Sequence, residues 1–151
     1  MRDGERVTPP QVALVPRALV EFTVRGAPQP QGRLARSKTG HLFDTNKKLE
    51  PWRDDIRRAA GEAWGGRALH EGPVGVIVDF VVARPMSAPK KRRLWPLHRP
   101  DLDRLVRAVL DSLTSTVFRD DSQVVVVSAT KRYDYSEPPG ARIVVRSEGD
   151  P

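Results

Sequence analysis

The sequence predicts an α/β (α+β) fold: a single-domain mixed β-sheet covered by two helices, with elements in the order ββαβαββ. Three observations lead to it. Two stretches carry apolar residues at helical spacing, one near residues 50–64 and one from residue 102 onward. Short runs rich in β-branched residues stand before, between and after them. The order lacks the regular βαβα alternation of a parallel sheet, so a mixed sheet is expected. At 151 residues the chain has the size of one domain and is long enough to bury a core.

Residues 1–17, with Pro9, Pro10 and Pro16, read as a flexible N-terminal arm, residues 18–147 as the folded domain and 148–151 as a tail. Leu19–Val24 is the first strand, ending before Gly26 and the Pro- and Gln-rich stretch Pro28–Gly32. Arg33, Arg36 and Lys38 then form a basic loop that turns at Gly40, and His41–Phe43 is a short second strand. A helix is expected over Glu50–Trp64. Pro51 is tolerated only in its first turn, Asp54 and Asp55 favour the positive end of its dipole, and Gly65-Gly66 stops it. Its apolar stripe is Trp52, Ile56, Ala59, Ala60 and Ala63.

Val74–Ala83 is apolar on both faces apart from Asp79, which predicts a central strand covered on both sides. Asp79 itself reads first as a place where one face meets solvent and, alternatively, as a fourth carboxylate beside Asp101, Asp103 and Asp121. The seventeen residues Arg84–Pro100 contain four prolines, six basic residues and no acid. A structureless segment of that length in a compact domain is usually functional or disordered. Trp95 within it reads first as an anchor to the domain and, alternatively, as a platform for an unpaired base. The second helix buries Leu102, Leu105, Val106, Val109, Leu110, Leu113 and Val117, and Asp120-Asp121 forms the turn out of it. Val124–Val127 and Ile143–Val145 are the last strands, open to pairing as a hairpin through Pro138, Pro139 and Gly140. Tyr133 and Tyr135 are expected to cover a strand end.

Net charge is +7 with pI near 10.4, and 20 of the 26 basic residues are arginine. Such a balance points to a polyanionic partner, because the planar guanidinium binds phosphate bidentately; arginine-rich codon usage is the bland source of the same composition. No basic amphipathic helix or long apolar run points to a membrane. The apolar run Val12–Val15 is too short for a signal peptide and Pro16 follows it, so a cytoplasmic location is expected. There is no cysteine, and His41, His70 and His98 are far apart in sequence, so any metal is expected on carboxylate oxygen.

Asp101 and Asp103 sit two apart at the start of the second helix, and Asp121 lies at the turn after it. Three carboxylates beside the longest positive loop of so basic a chain suit Mg²⁺, a hard ion that takes one or two carboxylates together with substrate phosphate and water. A structural account is also available. Asp101 is placed as an N-cap, Asp103 and Arg107 as an i,i+4 pair, and Asp120-Asp121 as turn residues. His98 is near in sequence but has no evident partner.

Asp101-Leu-Asp103, the helix with Asp111-Ser-Leu, and Asp120-Asp121-Ser-Gln123-Val resemble the signature of the RusA-type Holliday junction resolvases. Gly26-Ala-Pro28-Gln-Pro-Gln-Gly32-Arg33 resembles that family's glycine–proline–basic segment, and Lys131 matches a lysine found in it. The resemblance spans about residues 19–146. It implies a small Mg²⁺-dependent homodimeric endodeoxyribonuclease that cuts four-way junctions in DNA recombination and repair. In that reading Asp101, Asp103 and Asp121 are metal ligands, and no small-molecule cofactor is needed beyond the metal. Two positions depart from the pattern. Arg104 stands where the family commonly has asparagine. Arg107 stands where it has lysine, so this side chain is expected to act on phosphate charge and not as a proton donor. Arg33, Arg36, Lys90, Lys91, Arg92, Arg93, Arg99 and Lys131 are the expected DNA-binding residues. The competing reading is a non-catalytic nucleic-acid-binding module. A PD-(D/E)xK nuclease is disfavoured, since no Asp or Glu stands two residues before any lysine.

Overall fold

The computed structural model describes residues 16–149. Its elements are β1 (Arg17–Arg25), β2 (Leu34–Arg36), β3 (Leu42–Asp44), α1 (Leu49–Trp64), β4 (Val74–Val82), α2 (Leu102–Leu113), a single 3-10 turn (Asp121–Gln123), β5 (Val124–Tyr133) and β6 (Gly140–Ser147). The expected mixed sheet with two helices is present. The arm expected over residues 1–17 lies outside the described residues up to Val15, and Arg17 already belongs to β1.

The main sheet has the order β1-β6-β4-β5, and a separate ribbon pairs β2 with β3. β4 runs antiparallel to β6 and parallel to β5, with α2 as the crossover between β4 and β5. The hairpin allowed for between β5 and β6 does not form, because β4 lies between them. Pairing β4 on both edges satisfies the backbone of the most apolar strand in the chain, which a two-stranded ribbon would have left half open. The other addition is β2: three residues of the basic loop pair with β3.

Both helices pack on one face of the sheet. Trp52, Ile56 and Ala60 of α1 meet Leu105, Val109 and Leu113 of α2 over Val76, Val78, Phe80, Ile143 and Val145, all buried in one cluster. The expected stripes hold with three changes. Leu49 is buried and Ala63 exposed in α1, and α2 ends at Leu113, so Val117 reaches the core from the following turn together with Phe118. Gly65 adopts a left-handed φ of 69° and returns its N–H to Gly61 O, which stops α1. Truncating a core side chain such as Leu105 to alanine is expected to cost about 2–5 kcal/mol.

The helices cover β4 on one face. On the other, Asp79 accepts a hydrogen bond from Thr130 (2.6 Å) and lies opposite Arg142, which pairs with Glu21. Asp79 therefore belongs to an open, charged part of the sheet, away from the second helix. Among the described residues, no helix is long and apolar enough to cross a membrane.

Candidate functional site

The N-terminal half of α2 meets the segment Pro28–Arg33 across a cleft of about 620 Å³. That segment has no regular structure, so its shape comes from specific hydrogen bonds. Asp44 accepts from Gly32 N (3.0 Å) and Asn46 N (2.8 Å), Asn46 Nδ2 donates to Pro30 O (3.0 Å), and Thr45 N donates to Arg33 O (3.0 Å). A Cβ at Gly32 would collide with the Asp44 carboxylate, so only glycine lets this carboxylate close on the backbone. Gln31 N donates to Arg104 O (3.1 Å), which ties the segment to α2. The cleft is lined on one side by Gln31 and Arg33 and on the other by Arg99, Asp101 and Arg104.

Asp101 holds the N-cap position of α2, but its side chain makes no capping hydrogen bond. Asp103 is exposed in the first turn. The expected Asp103–Arg107 pair is replaced: Arg107 Nη2 lies 3.0 Å from Asp111 Oδ1 and 2.9 Å from Asp121 Oδ2. Asp111 is held from its other side by Arg53 of α1 (2.8 Å), which also binds Glu50 (2.8 Å). The hydrogen bond from Arg53 holds the Glu50 carboxyl below its ordinary value, against the opposing effect of burial and with help from the charges of Arg53 and Arg57. A chain of alternating charges thus runs Glu50–Arg53–Asp111–Arg107–Asp121 across α1, α2 and the 3-10 turn.

The turn role falls to Asp120. Its side chain accepts from Ser122 N (2.8 Å), and it also forms a capping box with Gln123, whose backbone N–H reaches the Asp120 side chain while its own side chain accepts from Asp120 N (3.0 Å). Hydrogen bonds from Ser122, backbone first, lower the Asp120 pKa. Gln123 Nε2 donates to His70 O (2.8 Å) and Gly72 O (3.0 Å), which fixes the turn to the segment leading into β4. These contacts leave Asp121 free to face α2. Among the described residues, neither Asp101 nor Asp103 forms an ion pair, and what α2 gains from them is only the favourable field of a carboxylate at its N-terminus.

The donor set suits a hard divalent cation chemically, since it consists of carboxylates on an exposed surface. Its arrangement is less complete. Among the described residues, no group of three or more His, Asp or Glu is spaced to hold a metal ion, and Asp121 is engaged by Arg107.

The expected DNA-binding residues divide into two groups. Arg33, Arg36, Lys90, Lys91, Arg92, Arg93 and Arg99 are exposed. Lys131 instead points its ammonium at the backbone, donating to His98 O (2.9 Å) and Pro100 O (2.8 Å), and so holds the chain entering Asp101. Sequence reading misses Arg53, Asp44 and Asn46, and it names Tyr135 only as cover for a strand end and not for its bonds to Leu94 N and Arg92 O. Only the family-like spacing around Asp111 hints that this aspartate has a partner; the others act through contacts made in the fold.

Residues 25–146 match the family model described as Endodeoxyribonuclease RusA. A Bacillus subtilis (strain 168) protein, described as the uncharacterized protein YqaN, is 32% identical over 141 residues, covering 84% of this chain and 95% of that relative.

Proposed function

Given that the chain belongs to the RusA endodeoxyribonuclease family, we propose that it is a Mg²⁺-dependent nuclease that cuts DNA at four-way junctions during recombination and repair, in the cytoplasm. The observation that carries this reading is the pair of exposed carboxylates, Asp101 and Asp103. They stand at the start of α2, beside a cleft lined by Arg33, Arg99 and Arg104, with no ion-pair partner among the described residues. In so basic a protein, unpaired carboxylates at the mouth of a positive cleft repel the phosphate backbone unless a cation lies between.

Asp101, Asp103 and Asp121 would hold the ion. The chemistry that a bound Mg²⁺ supplies is polarisation of the scissile phosphate and activation of an attacking water. The chain's own residues do the rest. Arg33, Arg99 and Arg104 draw the backbone into the cleft. Arg107 offers a delocalised charge that stays protonated and so can stabilise charge developing on phosphate without giving up a proton. The turn fixed by Gln123 sets the place of Asp121, and Lys131 sets the path of the chain into Asp101.

A four-way junction presents two symmetric strands, which suits a closed two-fold dimer. β5 supports such a dimer. It is an edge strand on which Val125, Val126 and Val127 are 61%, 36% and 45% exposed. From Val124 to Thr130 it has neither charge nor proline to blunt the edge, and its one irregularity is a bulge at Val125. Asp120 and Asp121 precede this stretch and Lys131 and Arg132 follow it. Antiparallel pairing of two copies about Val126 sets the acidic end of each against the basic end of the other.

The alternative, a nucleic-acid-binding module without catalysis, draws on one observation: Asp121 is neutralised by Arg107 and no three-carboxylate cluster stands formed among the described residues. Incubation with a labelled four-way junction and a matched linear duplex, with and without Mg²⁺, separates the two. Cleavage of the junction that requires the metal supports the nuclease; binding with no cleavage supports the module.

A further inference from the structure

The segment from Ala83 to Pro100 has no helix or strand, yet it is pinned at several points. Arg84 N donates to Asp134 Oδ1 (2.7 Å) at its start, and Lys131 takes its last carbonyls at His98 and Pro100. In the middle, Tyr135 grips it from both sides of one hydroxyl: Leu94 N donates to the phenol oxygen (3.1 Å), which donates to Arg92 O (3.1 Å). The guanidinium groups of Arg84 and Arg93 lie 5.1 and 5.8 Å from the Tyr135 ring centroid, within cation–π range. Pro96 is buried.

These anchors perform the task that the sequence suggests for Trp95. The indole is 71% exposed and Leu97, on the other side of Pro96, is 86% exposed. Between them and Tyr133 lies an open cleft of about 480 Å³, lined also by Pro85, Leu94 and His98. Trp52 and Trp64, by contrast, are both buried. A large flat apolar side chain held out from a pinned, proline-stiffened loop leaves most of its area uncovered by the described residues.

The surroundings restrict what can cover it. Every charged side chain from Arg84 to Arg99 is basic, and Lys90, Lys91, Arg92, Arg93 and Arg99 are exposed. The occupant must therefore be a polyanion with flat apolar faces. An intact duplex offers the charge but keeps its base faces stacked. A nucleic acid with an unstacked base at a branch offers both. We propose that Trp95 is a stacking site for an unpaired base at the branch point of DNA, with the flanking Lys90–Arg93 run on the adjoining phosphates. This rests on the nuclease reading above for its substrate class, and adds a residue that discriminates branched from linear DNA by contact with a base.

The test measures binding without Mg²⁺, so that no strand is cut. A four-way junction carrying 2-aminopurine at the branch and a linear duplex of matched sequence are titrated with the native protein, Trp95→Ala and Trp95→Phe. Removal of a base–aromatic stack weakens binding by roughly tenfold to a hundredfold per base. Trp95→Ala is expected to lose that much affinity for the junction and most of the 2-aminopurine fluorescence change, with duplex affinity unchanged. Trp95→Phe is expected to keep most of both. Equal weakening on junction and duplex, or a junction preference and fluorescence change that survive in Trp95→Ala, would overturn the stacking assignment while leaving the nuclease reading intact. A native protein that binds both DNAs alike would remove the branched substrate and this inference with it.

Discussion

Arg107 Nη2 lies 2.9 Å from Asp121 Oδ2, so the side chain one helical turn beyond Asp103 reaches forward to the turn after α2 and not back along its own helix. The same nitrogen is 3.0 Å from Asp111. One cation thus joins the helix that carries two candidate ligands to the turn that carries the third. Arg107 is 49% exposed and Asp121 30%, so the bridge contributes at most about 1 kcal/mol to stability. Its value lies in placement.

Substitution of this residue separates charge from shape. Arg107→Lys is expected to retain most cleavage, whereas Arg107→Ala is expected to lose about a hundredfold in rate, the scale of one preorganised charge on a reacting phosphate. Thermal unfolding of both variants should stay close to the native protein. Equal cleavage rates in all three proteins would reduce Arg107 to a counter-ion of Asp111 and Asp121.

Asp101→Asn, Asp103→Asn and Asp121→Asn are each expected to lower cleavage by roughly a thousandfold or more, since a metal supplies several kcal/mol at the transition state. Junction binding should hold or tighten, because each change removes a negative charge from a surface that meets phosphate. Single-turnover cleavage together with a binding titration checks both halves. Near-native cutting by any one variant would remove that aspartate from the site.

The basic loop is expected to supply phosphate contacts. Changing Lys90, Lys91, Arg92 and Arg93 together to alanine should weaken binding to junction and duplex alike. It should also flatten the dependence of log affinity on log salt by about 2–4 units, at roughly 0.9 for each phosphate no longer neutralised. The cut positions should not move, since backbone contacts place the protein without reading bases. An unchanged salt slope would exclude the loop as a DNA-binding surface.

Val126→Lys places like charges face to face at the centre of the proposed β5 pairing. It is expected to shift the protein from dimer to monomer in sedimentation or light scattering, with its circular dichroism unchanged. A variant that stays dimeric would move the interface elsewhere; a native protein that is monomeric at all concentrations would remove the dimer.

Much of the fold is legible in the sequence for definite reasons. Trp52, Ile56 and Ala60, and Leu105, Val109 and Leu113, repeat at the helical period and bury together. The run Val74–Val82 reads as a central strand because it is one, with a neighbour on each edge. Its far face misleads, because Ile77 there is only half-buried beside Asp79, with no third helix among the described residues to cover it. A β5–β6 hairpin is suggested by proximity in sequence, but strand adjacency depends on where α2 returns the chain, and periodicity does not record that. The acidic residues of the proposed site stand out in the sequence as well, but their partners in the fold do not. Asp103 and Arg107 stand at ion-pair spacing, yet the stronger draw on Arg107 comes from Asp121, fourteen positions further along. Trp95 reads as an anchor because its competitors for that task, Tyr135 and Lys131, lie more than thirty positions away and meet the loop only in the fold.

Strand cleavage on a four-way junction is the most direct measurement. Each strand is end-labelled in turn, and the native protein and Asp103→Asn are assayed beside a linear duplex of matched sequence, with Mg²⁺ and with chelator. The account predicts paired, symmetric nicks on the junction with native protein and Mg²⁺, and no cutting with chelator, with Asp103→Asn or on the duplex. Cutting that proceeds in chelator, that persists in Asp103→Asn, or that is equal on junction and duplex would contradict it.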